Sequence, residues 1–192
     1  MALAEPVKVT QLITRTFDIL GIRYFVGGSL ASSLHGIPRS TQDVDLVADM
    51  KEGHVASFVD ALKEEFYIDP GMIKEAIKLQ SSFNVIHLQT MFKADIFILK
   101  SDALSIEEID HRERYQLSNS EGDHIFVATA EDMILHKLYW YRLGGGVSER
   151  QWKDILGILQ VQSKTLDLEY LISRAQQRGV SELLHKALDE SQ

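Results

Sequence analysis

Two carboxylates two residues apart in an apolar run constrain this chain more than any other feature. Asp43 and Asp45 stand in the segment Asp43-Val44-Asp45-Leu46-Val47-Ala48. Residues 43–48 read as a strand, in which side chains alternate between faces. Both carboxylates then share one face, and Val44 and Leu46 enter the core. Like charges held side by side repel. A divalent cation between them removes that penalty, and oxygen-only donors favour a hard ion, Mg2+ or Mn2+.

A third acid occurs in the same style. Asp95 lies in Lys93-Ala94-Asp95-Ile96-Phe97-Ile98, an otherwise apolar strand where a lone charge is costly to bury. If this strand pairs beside residues 43–48, Asp95 completes a three-acid cluster. Upstream, the apolar run Ile22-Arg23-Tyr24-Phe25-Val26 leads into Gly27-Gly28-Ser29. A double glycine lets the backbone turn sharply and leaves room for a ligand to approach the main chain. A helix starting there offers free N–H groups to a phosphate, and the Ser29 hydroxyl adds a further donor.

Strands are expected at 22–26, 43–48, 83–89, 94–99 and 124–128. Val9, Leu12, Ile13, Phe17 and Leu20 give a helix closed by Gly21, and residues 29–34 a short second one. Val55, Phe58, Val59, Leu62 and Phe66 form an amphipathic helical stripe, and residues 72–79 a shorter helix. Beyond 128 the pattern is helical. Thr129 caps a helix over 130–143 that Gly144-Gly145-Gly146 stops. Ser148 with Gln151 reads as a capping box. Further helices follow from Leu168 to Gly179 and over 181–189. The expected fold class is α+β, a mixed sheet flanked by helices (residues 1–128) followed by a helical C-terminal part (129–192).

A chain of 192 residues with 45% hydrophobic content buries a real core. It has no cysteine, which excludes disulfides and thiolate metal sites. Its formal charge of -8 argues against a long phosphate track along nucleic acid. Met1 to Pro6 lacks a basic patch followed by an apolar run, and no stretch approaches the ~18 apolar residues of a membrane span. A soluble cytoplasmic protein without a membrane partner is the expectation.

These motifs together resemble the signature of the nucleotidyltransferase superfamily, the polymerase-beta-like fold. The matching residues are Gly28 and Ser29, then Asp43 and Asp45, then Asp95. Arg39-Ser40-Thr41-Gln42-Asp43-Val44-Asp45-Leu46 also matches an Arg-x-Thr-x-Asp-hydrophobic-Asp pattern of small bacterial members. In the C-terminal part Glu131, Asp132, Lys137, Arg150 and Asp154 look like the AbiEii-type toxins and related minimal nucleotidyltransferases. The resemblance implies that Asp43, Asp45 and Asp95 hold Mg2+ or Mn2+, and that Asp95 helps deprotonate an attacking hydroxyl. It implies that Gly27, Gly28 and Ser29 seat the triphosphate of a nucleoside triphosphate, with Arg39, Thr41 and Lys137 as further nucleotide contacts. The acceptor is then a hydroxyl on RNA (a tRNA 3' end), a protein or a small molecule. A toxin with an antitoxin partner is one form of that reading. The alternative is a degenerate member of the fold, a nucleotide-binding or protein-interaction module without catalysis.

Blander readings stand beside these. Arg39 and Thr41 also fit ordinary loop residues, and Lys137 an exposed helix lysine. Asp154 pairs with Lys137 or Arg150, or faces water. The seven histidines show no zinc spacing. Tyr139-Trp140-Tyr141-Arg142 suits helix packing or base stacking, and His111-Arg112-Glu113-Arg114 a solvated patch.

Overall fold

The computed structural model describes residues 5–118 and 123–191. Residues 1–4, on which the expectation of no secretion leader falls, lie outside the described residues. The chain divides into two compact units. The first holds Met1–Ser29 and Thr41–Ala128, and the second holds Leu30–Ser40 and Thr129–Gln192. Residues 30–40 thus cluster with the C-terminal helices rather than with the sheet.

In the first unit, helix α1 (Glu5–Leu20) ends at Gly21, whose φ of +68° suits a residue without Cβ. Strand β1 (Tyr24–Val26) runs to the start of α2 (Gly28–His35), and β2 (Asp43–Ala48) follows. Next come α3 (Val55–Leu62), β3 (Phe66–Tyr67), α4 (Pro70–Leu79), β4 (Ser82–His87) and β5 (Lys93–Ile98). Helix α5 (Ala103–His111), β6 (Glu113–Gln116) and β7 (His124–Val127) complete the unit. Among the described residues the strands form one seven-stranded sheet in the order β3-β4-β5-β2-β1-β7-β6. Pairs β2/β5 and β1/β7 are parallel and the rest antiparallel, so the sheet is mixed as expected.

Helices α1, α3 and α4 pack on one another and against the sheet. Their apolar stripes meet the inward strand positions Val44, Leu46, Ala48, Phe83, Val85, Ala94 and Ile96, all buried. Phe58 of α3 stacks on Phe17 of α1 at 5.2 Å between ring centres, and its edge meets Phe83 at 6.3 Å. The opposite strand positions, Asp43, Asp45, Lys93, Asp95, Phe97, Asn84 and Ile86, stay partly or fully exposed.

Several expectations change. The first strand begins at Tyr24, because the Ile22 amide is spent on the Phe17 carbonyl at 2.9 Å. Phe66 belongs not to the helical stripe but to β3, paired with His87 and in ring contact with it at 5.2 Å. Its spacing from Leu62 fits either element, and the sheet takes it. Helix α5 and strand β6 escape sequence pattern, since α5 is weakly amphipathic and all four residues of β6 are exposed.

The second unit contains α6 (Ala130–Leu143), α7 (Glu149–Gln162), α8 (Leu168–Gln177) and α9 (Ser181–Glu190). Thr129 caps α6 by accepting from the Asp132 amide at 3.1 Å. Ser148 caps α7 by accepting from the Gln151 amide, but the reciprocal half of the expected box is not made, and the Gln151 Oε1 is buried without a partner. Gly36 and Gly157 let residues 30–40 approach α7. A Cβ at Gly36 would meet Gly157 C and Ile158 N at 2.9 Å, and Gln162 Nε2 donates to the His35 carbonyl at 2.8 Å. Tyr141 packs on Trp152 at 5.1 Å, which fits the packing reading of that aromatic run, while Trp140 is exposed.

Candidate functional site

Register places the acids. In the parallel pair β2/β5, Asp45 stands opposite Asp95 and Asp43 opposite Lys93. Residues opposite one another project from the same face of a sheet. Adjacent strands lie about 4.8 Å apart, so the three carboxylates share one patch of that face. Thr41 is brought to this patch from the loop before β2. Its hydroxyl lies 2.9 Å from the Asp43 carbonyl oxygen and 3.1 Å from Asp43 Oδ1, so it steadies Asp43.

The glycine turn is locked to the same row. The Gly27 amide donates to the Asp45 carbonyl at 2.8 Å. Gly28 opens α2 with φ of +56°, a conformation that L side chains rarely adopt. A Cβ there would lie 1.8 Å from Asp45 Oδ2 and 2.7 Å from its Cγ. The Asp45 carboxylate therefore occupies the space that the missing side chain leaves. Ser29, the second residue of α2, is partly exposed.

Lys93 was not singled out from sequence, and it belongs to the site. Its Nζ holds Asp95 Oδ2 at 2.7 Å. The hydrogen bond to Asp95 pushes the ammonium pKa up; partial burial opposes this, and the charges of Asp95, Asp43 and Asp45 reinforce it. One positive charge thus sits in the field of all three carboxylates. The donor set is all oxygen, which suits Mg2+ or Mn2+. Among the described residues no three acid or imidazole side chains close into a metal cage; Asp95 is turned onto the ammonium.

The second unit holds the other predicted contacts. Asp154 is almost wholly buried, its side chain 7% exposed. Arg39 grips it through Nε at 2.8 Å and Nη2 at 2.9 Å, and Lys137 through Nζ at 2.8 Å. Burial pushes the Asp154 carboxyl up, but the hydrogen bonds and charges of Arg39 and Lys137 outweigh it and hold the pKa below the ordinary value. Lys137 is buried, not an exposed helix lysine, and Asp154 takes Arg39 as well as Lys137.

The fold of this chain is that of solved nucleotidyltransferase-like structures. No family model and no curated protein sequence matches the chain. Solved structures do. The antibiotic-resistance factor ANT(2'')-Ia in complex with adenylyl-2''-tobramycin superposes with a TM-score of 0.60 at 14% identity, over 92% of this chain and 98% of that one. An antigenic nucleotidyltransferase-like protein from Paracoccidioides brasiliensis superposes at 0.58 and 16% identity, over 97% and 93%. The lincosamide antibiotic adenylyltransferase LnuA, lincomycin-bound, superposes at 0.51 and 13% identity, over 84% and 99%.

Proposed function

We propose that this chain is a metal-dependent nucleotidyltransferase that moves a nucleoside monophosphate from a nucleoside triphosphate to a hydroxyl. The observation that carries this reading is the row Gly27–Asp45–Asp95, with the Asp45 carboxylate filling the Cβ space of Gly28. A stability-driven sequence has no reason to gather three carboxylates on an open face.

The residues take these roles. The turn at Gly27 and Gly28 and the start of α2 at Ser29 present N–H and O–H donors to the triphosphate. Asp43, steadied by Thr41, and Asp45 and Asp95 would hold Mg2+ or Mn2+. A bound ion would stabilise charge on the attacking and leaving oxygens of an in-line displacement. The acceptor oxygen bonds to the α-phosphorus, the bond from that phosphorus to its bridging oxygen breaks, and pyrophosphate leaves. The hydroxyl proton passes to the Asp95 carboxylate. The assignment of Arg39 and Lys137 as phosphate contacts rests on the sequence resemblance. A toxin role with an antitoxin partner rests on the C-terminal resemblance through Glu131, Asp132, Lys137, Arg150 and Asp154.

One observation favours the non-catalytic alternative, namely that Lys93 already neutralises Asp95. Label transfer separates the two. The chain is incubated with each α-labelled triphosphate, Mg2+ or Mn2+, and RNA, protein extract or small hydroxyl compounds. The parent labels one class, and Asp43→Ala with Asp45→Ala abolishes it. Transfer that survives both substitutions overturns the site. Triphosphate bound without turnover establishes the alternative.

A further inference from the structure

The sheet face that carries the acids also carries one base, and its position bears on how many cations the acids can hold. Lys93 and Asp95 are two residues apart in β5, so both project from one face. In register Lys93 stands between Asp43 on β2 and Ile86 on β4. Its neighbours on the face are thus one apolar side chain and two carboxylates. The ammonium closes on one of these, Asp95 Oδ2, at 2.7 Å.

Two divalent ions that serve an in-line displacement lie about 3.5–4 Å apart. Mg2+ takes its ligand oxygens at about 2.1 Å. Asp45 is fixed against the glycine turn, and Asp43 follows on the same face of β2, so this pair offers a seat for one ion. A second ion has to draw on Asp95, and there the ammonium already holds a carboxylate oxygen. Two cations brought onto one oxygen repel each other. Lys93 in this position and a second ion therefore exclude one another. The charge count points the same way. Three carboxylates and one ammonium leave two negative charges on the cluster, which one divalent ion cancels before a triphosphate arrives.

We propose that Lys93 takes the place of a second metal ion and that the chain works with one divalent cation. Asp43 and Asp45 hold that cation beside the glycine turn. Asp95 gives Oδ2 to the ammonium and keeps Oδ1 for the acceptor's proton. A lysine ammonium is a compact point charge with three N–H donors. One is spent on Asp95, and the others serve the oxygen on which charge develops as the acceptor attacks. The Lys93–Asp95 pair, which by itself favours the non-catalytic alternative, then belongs to the machinery of transfer. This rests on the nucleotidyltransferase reading above.

The test counts ions. The full chain with one equivalent of α,β-methylene-ATP is titrated with Mn2+, and free Mn2+ is followed by its paramagnetic resonance signal. Equilibrium dialysis measures binding of the analogue in Mn2+ and in EDTA. The parent is expected to take up one Mn2+ per ternary complex and Lys93→Met two. Lys93→Arg, which keeps the charge, is expected to take up one. In label transfer the rate at limiting Mg2+ should rise with about the first power of its concentration for the parent and about the second power for Lys93→Met. Thermal melts establish that the variants fold, and the parent's own count decides the matter if Lys93→Met does not. Two Mn2+ on the parent, or one on a folded Lys93→Met, overturns the inference and leaves the nucleotidyltransferase reading standing. An analogue that fails to bind, or binds equally well in EDTA, overturns that reading, and this inference falls with it.

Discussion

The two units each carry a charge cluster, and the clusters are opposites. On the sheet of the first unit, three carboxylates meet one ammonium, and all four side chains are partly exposed. In the second unit Arg39 and Lys137 both hydrogen-bond the Asp154 carboxylate, whose side chain is only 7% exposed. The sheet cluster gathers like charges where solvent reaches them. The helical cluster pairs its buried carboxylate with cations where solvent is largely shut out. The first arrangement works against folding, and the proposed cation binding would account for it. The second is explained by what it holds together, because a buried carboxylate that loses its partners is destabilising.

Substitution in each cluster should therefore move different observables. Asp45→Asn is expected to reduce nucleotidyl transfer by on the order of 100-fold or more, since it removes an electrostatic contact to the reacting group. Its melting temperature should stay level or rise, because one of three like charges is gone. A large loss of stability would place Asp45 with the structural cluster and break the contrast. Asp154→Ala should show the reverse emphasis. Two cations would lose their shared carboxylate, at a cost of about 3 kcal/mol in urea unfolding. A cost near zero would mean that water already serves this cluster.

Acid sharpens the second half of the contrast. The folded Asp154 pKa is held below its ordinary value, which in an unfolded chain is about 3.9. A depressed carboxylate pKa adds stability that is complete above the unfolded value and is lost as pH falls through the folded one. The stability gap between the parent and Asp154→Asn should hold constant from neutrality to about pH 5 and shrink below about pH 4. A gap that shrinks at neutral pH would contradict the lowered pKa.

Legibility followed the range of the physics. The strand over 43–48 was readable because alternation is a local property, and β2 spans Asp43–Ala48. Gly28 was readable as a turn. The reason it must be glycine, Asp45 Oδ2 lying where a Cβ would stand, depends on two strands meeting. Lys93 was passed over because its place opposite Asp43 is a matter of register, and nothing within β5 states its partner strand. Arg39 and Asp154 meet across 115 residues of chain, so the sequence offered only competing local readings of each. Strand β6 carries no apolar residue facing a core, and edge pairing alone makes it a strand.

Lys93 gives the smallest effect and bears directly on why the sheet cluster tolerates its charge. If its ammonium stands in for a metal ion, replacing it with methionine keeps most of the side-chain length and removes the cation paired with Asp95. The side chain is 43% exposed, so solvent screens much of the interaction and the loss should not exceed about 1 kcal/mol. For a chain of this size that is a fall of about 2–4 °C in melting temperature, measured in EDTA. Added Mg2+ should then raise the melting temperature of Lys93→Met more than that of the parent, because ligand binding stabilises the folded state by mass action and the substitution removes the competitor for the site. Equal Mg2+ responses in the two proteins would show that the ammonium and the metal do not share a seat, and Lys93 would then be an ordinary ion-pair partner of Asp95.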